Sequence, residues 1–231
     1  MANLLVIPAR GGSKRIPKKN IKYFSGKPII AYSIEAAVES DLFDEIMVST
    51  DDEEISEIAK TYGASVPFFR SKKNADDYAT TFDVIQEVVS KYKLLNQQFE
   101  FICCLYPCAP LTTVKRLEEA FQLLKAENFD SVFPIVKFGF PIQRALKIRD
   151  DKKTEFFYPK FSLTRSQDLI PGYHDAGQFY WLNTSKCIEK SAILTDNTGS
   201  LVISEMEAQD IDTETDWKLA ELKHELLQSP K

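Results

Sequence analysis

Between Arg10 and Lys22 the chain places six cations (Arg10, Lys14, Arg15, Lys18, Lys19 and Lys22) and no carboxylate. They follow a short apolar run at Asn3–Pro8. Gly11 and Gly12, flanked by Ala9 and Ser13, leave room for backbone N–H groups to close on phosphate oxygens. A cationic, glycine-bearing loop after a strand is what a nucleoside triphosphate needs to offset its charge. The string GGSKR lacks the G-x4-G-K-[ST] pattern of a Walker loop, and G-x-G-x-x-G is also absent. A solvated basic loop and an RNA-binding patch are the alternatives; interleaved aromatics, which single-stranded RNA sites use for stacking, are missing here.

A second chemical feature lies near the carboxyl terminus. In an extended segment, Asp210 and Asp212 point the same way, so both can address one hard cation. Mg²⁺ binds through one or two carboxylates plus substrate phosphates, and this pair suits that use. A helix N-terminal acid cluster, which Asp212, Glu214 and Asp216 would also satisfy, is the alternative.

The elements that must position these groups alternate regularly. Strands are expected at Asn3–Pro8, Glu45–Ser49, Ser65–Phe69, Phe99–Leu105 and Ser131–Val136. Helices are expected at Pro28–Ser40 (stripe Ile30, Ile34, Ala37, Val38), Asp52–Tyr62, Thr81–Tyr92 with Thr81 as cap, and Thr113–Glu127. Strands at Gln178–Leu182 and Leu201–Ser204 and a helix at Thr213–Leu227 complete the chain, with His224 expected at the surface. This predicts an α/β three-layer sandwich, Rossmann-like, around a mostly parallel sheet, as one domain over residues 1–231. The alternation breaks from Lys137 to Pro171. There two extended segments flank a polar turn at Asp150–Lys153, and the aromatics Phe138, Phe140, Phe156, Phe157, Tyr158 and Phe161 accumulate. We expect a protruding hairpin arm that packs on a second subunit, the alternative being an extension folded back on its own domain.

With 44% hydrophobic and 12% aromatic residues, the chain has ample material for a core, which excludes global disorder. A net charge of -5 gives no reason to expect nucleic acid or an anionic membrane as partner. No apolar run is long enough to span a bilayer, and the first residues lack a basic n-region. Three of the four cysteines (Cys103, Cys104, Cys108, Cys187) fall within six residues, a poor disulfide framework, so reduced thiols in a cytoplasm are expected. Zinc is disfavoured because C-x2-C pairs are absent and no His lies nearby.

The string IPARGGSKRIPKKN resembles the signature of the CMP-N-acetylneuraminate synthetase family. The similarity continues in register at VSTDDEEI, FFRSKKNADDYATT, YPCAPL and QDIDTETDW. It implies a nucleotide-diphospho-sugar transferase type of fold, a homodimer, Mg²⁺, and transfer of CMP from CTP to the anomeric hydroxyl of a 2-keto sugar acid. By this resemblance Arg10 and Lys14 contact phosphates, Lys19 stabilises the transition state beside Asn20, and Arg15 has no assigned role. The cytosine lies against the Ala9–Lys14 backbone and the segment of Arg70, Asp77 and Thr81. Tyr106, Cys108 and Ala109 stand where many relatives carry polar residues, which predicts a less polar wall to the sugar pocket. Cys108 has no evident base and is expected to pack.

The segment Thr164–Trp181 resembles the pseudaminic acid branch of the family. In it Arg165 is expected to hold the sugar carboxylate through a bidentate pair, from its own or the neighbouring subunit. Gln167, His174, Asp175 and Gln178 complete the expected sugar contacts, with His174 a hydrogen-bonding residue before a general base. Sialic and legionaminic acids are the alternative sugars. An Asp-x-Asp glycosyltransferase and a non-catalytic nucleotide-binding module are the alternatives of other classes.

Overall fold

The computed structural model describes residues 2–228. Alternate residues of the first strand, β1 (Asn3–Pro8), face opposite helical layers, and this organises the molecule. Leu5 and Ile7 pack with Ile30, Ile34 and Ala37 of α1 (Ile29–Ser40), with Ile55 and Ala59 of α2 (Glu53–Thr61), and with Leu117, Phe121 and Leu124 of α4 (Val114–Ala126). Leu4 and Val6 face Ile85, Val88 and Tyr92 of α3 (Thr81–Leu94) and Cys187 of α5 (Thr184–Lys190). Both faces of β1 are therefore apolar, as a central parallel strand requires.

On one side β1 pairs in parallel with β4 (Glu45–Ser49), on the other with β5 (Phe101–Leu105). The small ribbon of β2 (Tyr23–Phe24) and β3 (Lys27–Pro28) lies before α1. Beyond β5 the order continues through β10 (Phe179–Asn183), β6 (Ser131–Lys137) and β11 (Thr198–Ile203), with β9 (Tyr173–Asp175) paired to β6. Strand β10 is antiparallel to both its neighbours and β9 is antiparallel to β6, so two reversed strands join an otherwise parallel set. Trp181 of β10 is fully buried, stacked between Phe43 and Phe121 with centroids at 5.1 and 4.4 Å, and its indole N–H donates to Leu117 O at 3.1 Å.

A third, smaller core gathers Ile16, Phe24 and Ile29 around Ile211, Trp217 and Ala220, the last two on α6 (Glu214–Gln228). It fixes the basic loop against the far end of the chain. The four cysteines are free. No helix among the described residues is long and apolar enough to cross a membrane.

Several expected elements shift. Ser65 makes a single parallel bridge to Met47, and no strand continues to Phe69. Pro67 lacks the N–H that a further ladder would need. The cap of α3 is Thr80, not Thr81, because Thr80 and Asp83 form a reciprocal capping box. Val38 is half exposed and does not belong to the buried stripe of α1. His224 is half-buried, edge-on to Tyr32 and Phe24 at 5.1 and 5.5 Å. Burial, then the charge of Lys27, lowers its pKa. The segments β9 and α5 had no counterpart among the expected elements. Between β6 and β9 the arm forms a hairpin of β7 (Leu146–Ile148) and β8 (Thr154–Phe156) around the Asp150–Lys153 turn.

Candidate active site at the carboxyl edge of the sheet

Strands β1, β4 and β5 release their chains at one edge, and the loops that follow enclose a cleft of about 300 Å³. Arg10, Ser13, Lys14, Lys19 and Asn20 line it from the basic loop. Arg70, Asp77 and Thr81 line it from the segment before and into α3, and Tyr106 and Cys108 from the turn after β5. Asp210 arrives from the far end of the sequence. Asn20 is buried and joins two of these segments: its amide donates to Arg10 O at 2.9 Å and accepts from the Cys108 thiol at 3.4 Å. Ser33 of α1, fully buried, anchors the turn by donating to Tyr106 O at 2.8 Å.

The six cations of the loop do not act as one group. Arg10 and Lys14 pair with Asp77, and Arg15 with Asp212 at 2.6 Å. Lys19 lies 3.8 Å from Asp212 and donates to Ile211 O at 2.7 Å. Lys18 is engaged by Glu54 and Lys22 by Glu214, and neither lines the cleft. The cleft-lining set is thus Arg10, Lys14, Arg15 and Lys19. Arg15 joins it through Asp212, a place that spacing alone did not assign.

The two glycines also differ from expectation. The Gly11 N–H donates to Asp51 Oδ1 at 2.9 Å and is already satisfied. A Cβ there would stand 2.7 Å from Asp52 Oδ2, so Gly11 is needed for packing against the start of α2. Gly12 faces open space.

Arg70 is buried, donates to Ser49 O at 2.5 Å and Ser49 Oγ at 3.1 Å, and has its pKa lowered chiefly by burial. A cation held by neutral oxygens at a cleft wall favours an anionic visitor. Because Thr80 caps α3, the Thr81 hydroxyl is free to meet the Tyr106 phenol at 2.9 Å. Tyr106 in turn packs edge-on to Tyr180 at 5.6 Å, and Tyr180 donates to the Asp175 carboxylate. Burial raises the pKa of both phenols, so each stays protonated near neutrality. Burial likewise pushes the Cys108 thiol up to about 12 against the opposing charge of Lys19, and the group acts as a neutral packing and hydrogen-bonding residue.

Helix capping falls to Thr213 and Asp216: Thr213 Oγ1 accepts from Asp216 N at 3.2 Å, and the Asp216 carboxylate accepts from Thr213 N at 2.7 Å. Asp210 and Asp212 precede α6 and are not used for it. Burial, followed by the charge of Asp212, raises the Asp210 pKa, while Lys19 opposes both. Among the described residues no three ligating side chains cluster, so a cation here would need further oxygens from a substrate or from water.

The expected sugar contacts divide. Asp175 accepts from Gly177 N at 2.8 Å, and Gly177, at φ +65°, lines the cleft beside Asp210. Gly177 escaped the sequence reading, although a glycine just before a strand is a signal for such a turn. His174 is exposed, bonded through Nδ1 to Asp175 O at 2.8 Å and packed on Phe138. Gln178 is buried, and its amide donates to Glu207 O at 2.5 Å, which engages the NH₂ group within the fold. Arg165 and Gln167 are exposed on the arm and do not line the cleft of their own chain. Asp76, whose carbonyl accepts from Arg10 at 2.5 Å, also went unread.

A mostly parallel sheet whose carboxyl edge carries a cationic loop, a buried arginine and a carboxylate pair defines a nucleotidyltransferase. Residues 4–198 match the family model described as Cytidylyltransferase, and the chain belongs to that family of CTP-using enzymes. It is 42% identical over 226 residues to the pseudaminic acid cytidylyltransferase of Campylobacter jejuni, covering 98% of this chain and 97% of that protein. It is 32% identical to the CMP-N,N'-diacetyllegionaminic acid synthase of Legionella pneumophila, covering 99% and 98% of the two chains. The fold is shared with CMP:2-keto-3-deoxy-manno-octonic acid synthetase, solved in complex with CTP, at a TM-score of 0.71 and 16% identity over 99% of each chain.

Proposed function

We propose that the chain transfers CMP from CTP to the anomeric hydroxyl of pseudaminic acid and releases pyrophosphate. The observation that carries this is the full-length identity to the Campylobacter enzyme. The phenol and thiol wall of Tyr106 and Cys108 supports it, since a sugar with an apolar deoxy end prefers fewer polar contacts. Legionaminic acid is the second sugar, favoured by the Legionella relative. A glycosyltransferase reading would leave the cations of the Arg10–Lys19 loop without a task.

In this mechanism Arg10, Lys14 and Arg15 receive the β- and γ-phosphates, and Gly12 offers backbone toward them. Lys19, held by Ile211 O, faces the α-phosphate and offsets charge that develops as the sugar hydroxyl attacks in line. Ala9, Arg70 and Thr81 border the base. Asp210 and Asp212 would hold Mg²⁺ together with phosphate oxygens. When bound, the ion neutralises and orients the triphosphate. Asp175 and His174 approach the sugar from β9, and Gln178 from the residue before β10.

Phe140, Ile148, Leu163 and Ile170 are each at least 78% exposed on the arm. An apolar surface of that kind fits a homodimer in which Arg165 and Gln167 serve the partner's cleft. Incubation with CTP, Mg²⁺ and each of pseudaminate, legionaminate and N-acetylneuraminate, with pyrophosphate as readout, tests the proposal. Pseudaminate is expected to turn over fastest. Equal or faster turnover of N-acetylneuraminate would remove the sugar assignment and leave the reaction class.

A further inference from the structure

The anion that Arg10 and Lys14 now hold belongs to the protein. Asp77 Oδ1 lies 2.9 Å from Arg10 Nη2, and its other oxygen takes the Lys14 ammonium. The preceding carbonyl, Asp76 O, accepts from Arg10 Nη1 at 2.5 Å. These are two of the cations assigned to the triphosphate. The hydrogen bond from Lys14, then the charges of Lys14 and Arg10, hold the Asp77 carboxyl below the usual range against some desolvation, so it is ionised near neutrality.

The strap that carries Asp77 is tied at its ends. Before it, Ser71 donates twice to Glu87, both at 2.8 Å, and Asn74 donates to the same carboxylate at 2.6 Å. After it, Thr80 and Asp83 close the capping box of α3. Between these anchors Asp76 folds its own turn, accepting from Tyr78 N and Ala79 N at 2.9 and 2.8 Å, and Tyr78 is 91% exposed. Among the described residues, the hydrogen bonds and ion pairs that join this turn to the basic loop are those of Arg10 and Lys14.

We propose that Asp77 is a latch, an internal anion that occupies the phosphate cations of the cleft and must leave when a triphosphate arrives. The turn at residues 75–79 then moves between its fixed ends as the cations pass to phosphate. This deepens the CTP reading and rests on it. It also reverses the role the family resemblance gives Asp77: a nucleotide ligand strengthens binding, whereas a competing anion weakens it, because part of the affinity goes to displacing it.

The test is binding to the full chain carrying Asp77→Asn, titrated with CTP, with inorganic tripolyphosphate and with cytidine. The neutral amide should tighten CTP and tripolyphosphate by roughly three- to tenfold, the range of two partly exposed ion pairs, and leave cytidine unchanged. Asp77→Ala should move both in the same direction. The gain should shrink at high salt, since the charges are screened. Weaker or unchanged tripolyphosphate binding in both variants overturns the latch. If wild type holds tripolyphosphate but prefers no nucleotide, the CTP reading fails separately, and the latch is judged on the tripolyphosphate ratio alone.

Discussion

Arg15 and Asp212 meet at 2.6 Å, although 197 residues separate them in the chain. The pair closes the cleft between the basic loop and the segment before α6, and Lys19 stands beside it at 3.8 Å from the same carboxylate. The two ends of the sequence therefore share one electrostatic site. Removing Asp212 leaves Arg15 and Lys19 without their carboxylate and, on the proposed mechanism, removes a metal ligand. Asp212→Ala is expected to lower Mg²⁺-supported pyrophosphate release by at least about a hundredfold. Its melting temperature should stay near wild type, because the side chain is about one-third exposed. Normal metal-dependent turnover in the variant would remove the assignment.

Lys19 is held toward the cleft by Ile211 O rather than by a strong ion pair, which leaves its charge available. Lys19→Ala should reduce kcat by about 10²–10³ with a much smaller change in CTP affinity, the pattern of a group that acts in the transition state. An equal loss in CTP binding and in turnover would instead make it a ground-state ligand. Steady-state kinetics beside direct nucleotide titration separates the two.

Glu87 braces the strap and predicts an acid limb of stability. Burial works to raise its pKa, but hydrogen bonds from Lys91, Ser71 and Asn74 outweigh it and hold the group at about 2. A folded value below the unfolded one means that the stabilisation is complete above about pH 4.5 and is lost as pH falls toward 2. Glu87→Gln should cost about 1–3 kcal/mol at neutral pH and flatten that limb. Thermal melts from about pH 6 down to pH 3 would show it, and an unchanged acid slope would count against the assignment.

The arm carries its apolar side chains on the outside. Replacing residues 137–171 by a short Gly/Ser linker removes β9's upstream neighbour and the exposed aromatics. On the proposed reading, sedimentation should report a dimer for the intact chain and a monomer for the shortened one. A shortened chain that stays dimeric places the main interface elsewhere.

Trp181 illustrates the cost of the core that holds the cleft. Stacked between Phe43 and Phe121, it links β10 to α4 behind the Tyr106 turn. Trp181→Ala should destabilise the protein by about 3–5 kcal/mol in denaturant unfolding.

By itself the sequence determined the alternation of strands and helices, the location of the basic loop, the hairpin arm and the Asp210–Asp212 pair. Those features depend on local periodicity, on capping residues and on charge counts, all of which are contiguous along the chain. Tertiary structure decided what each charge does. Spacing showed six cations without a carboxylate between them, but Asp77, Glu54, Asp212 and Glu214 reach them from distant segments and sort them into cleft and scaffold. Likewise Gly11 is required by Asp52, Thr81 is freed by the Thr80 cap, and β10 lies reversed between β5 and β6. Charge pairing and sheet order arise from loop closure and packing between segments far apart in sequence, which local residue patterns do not encode.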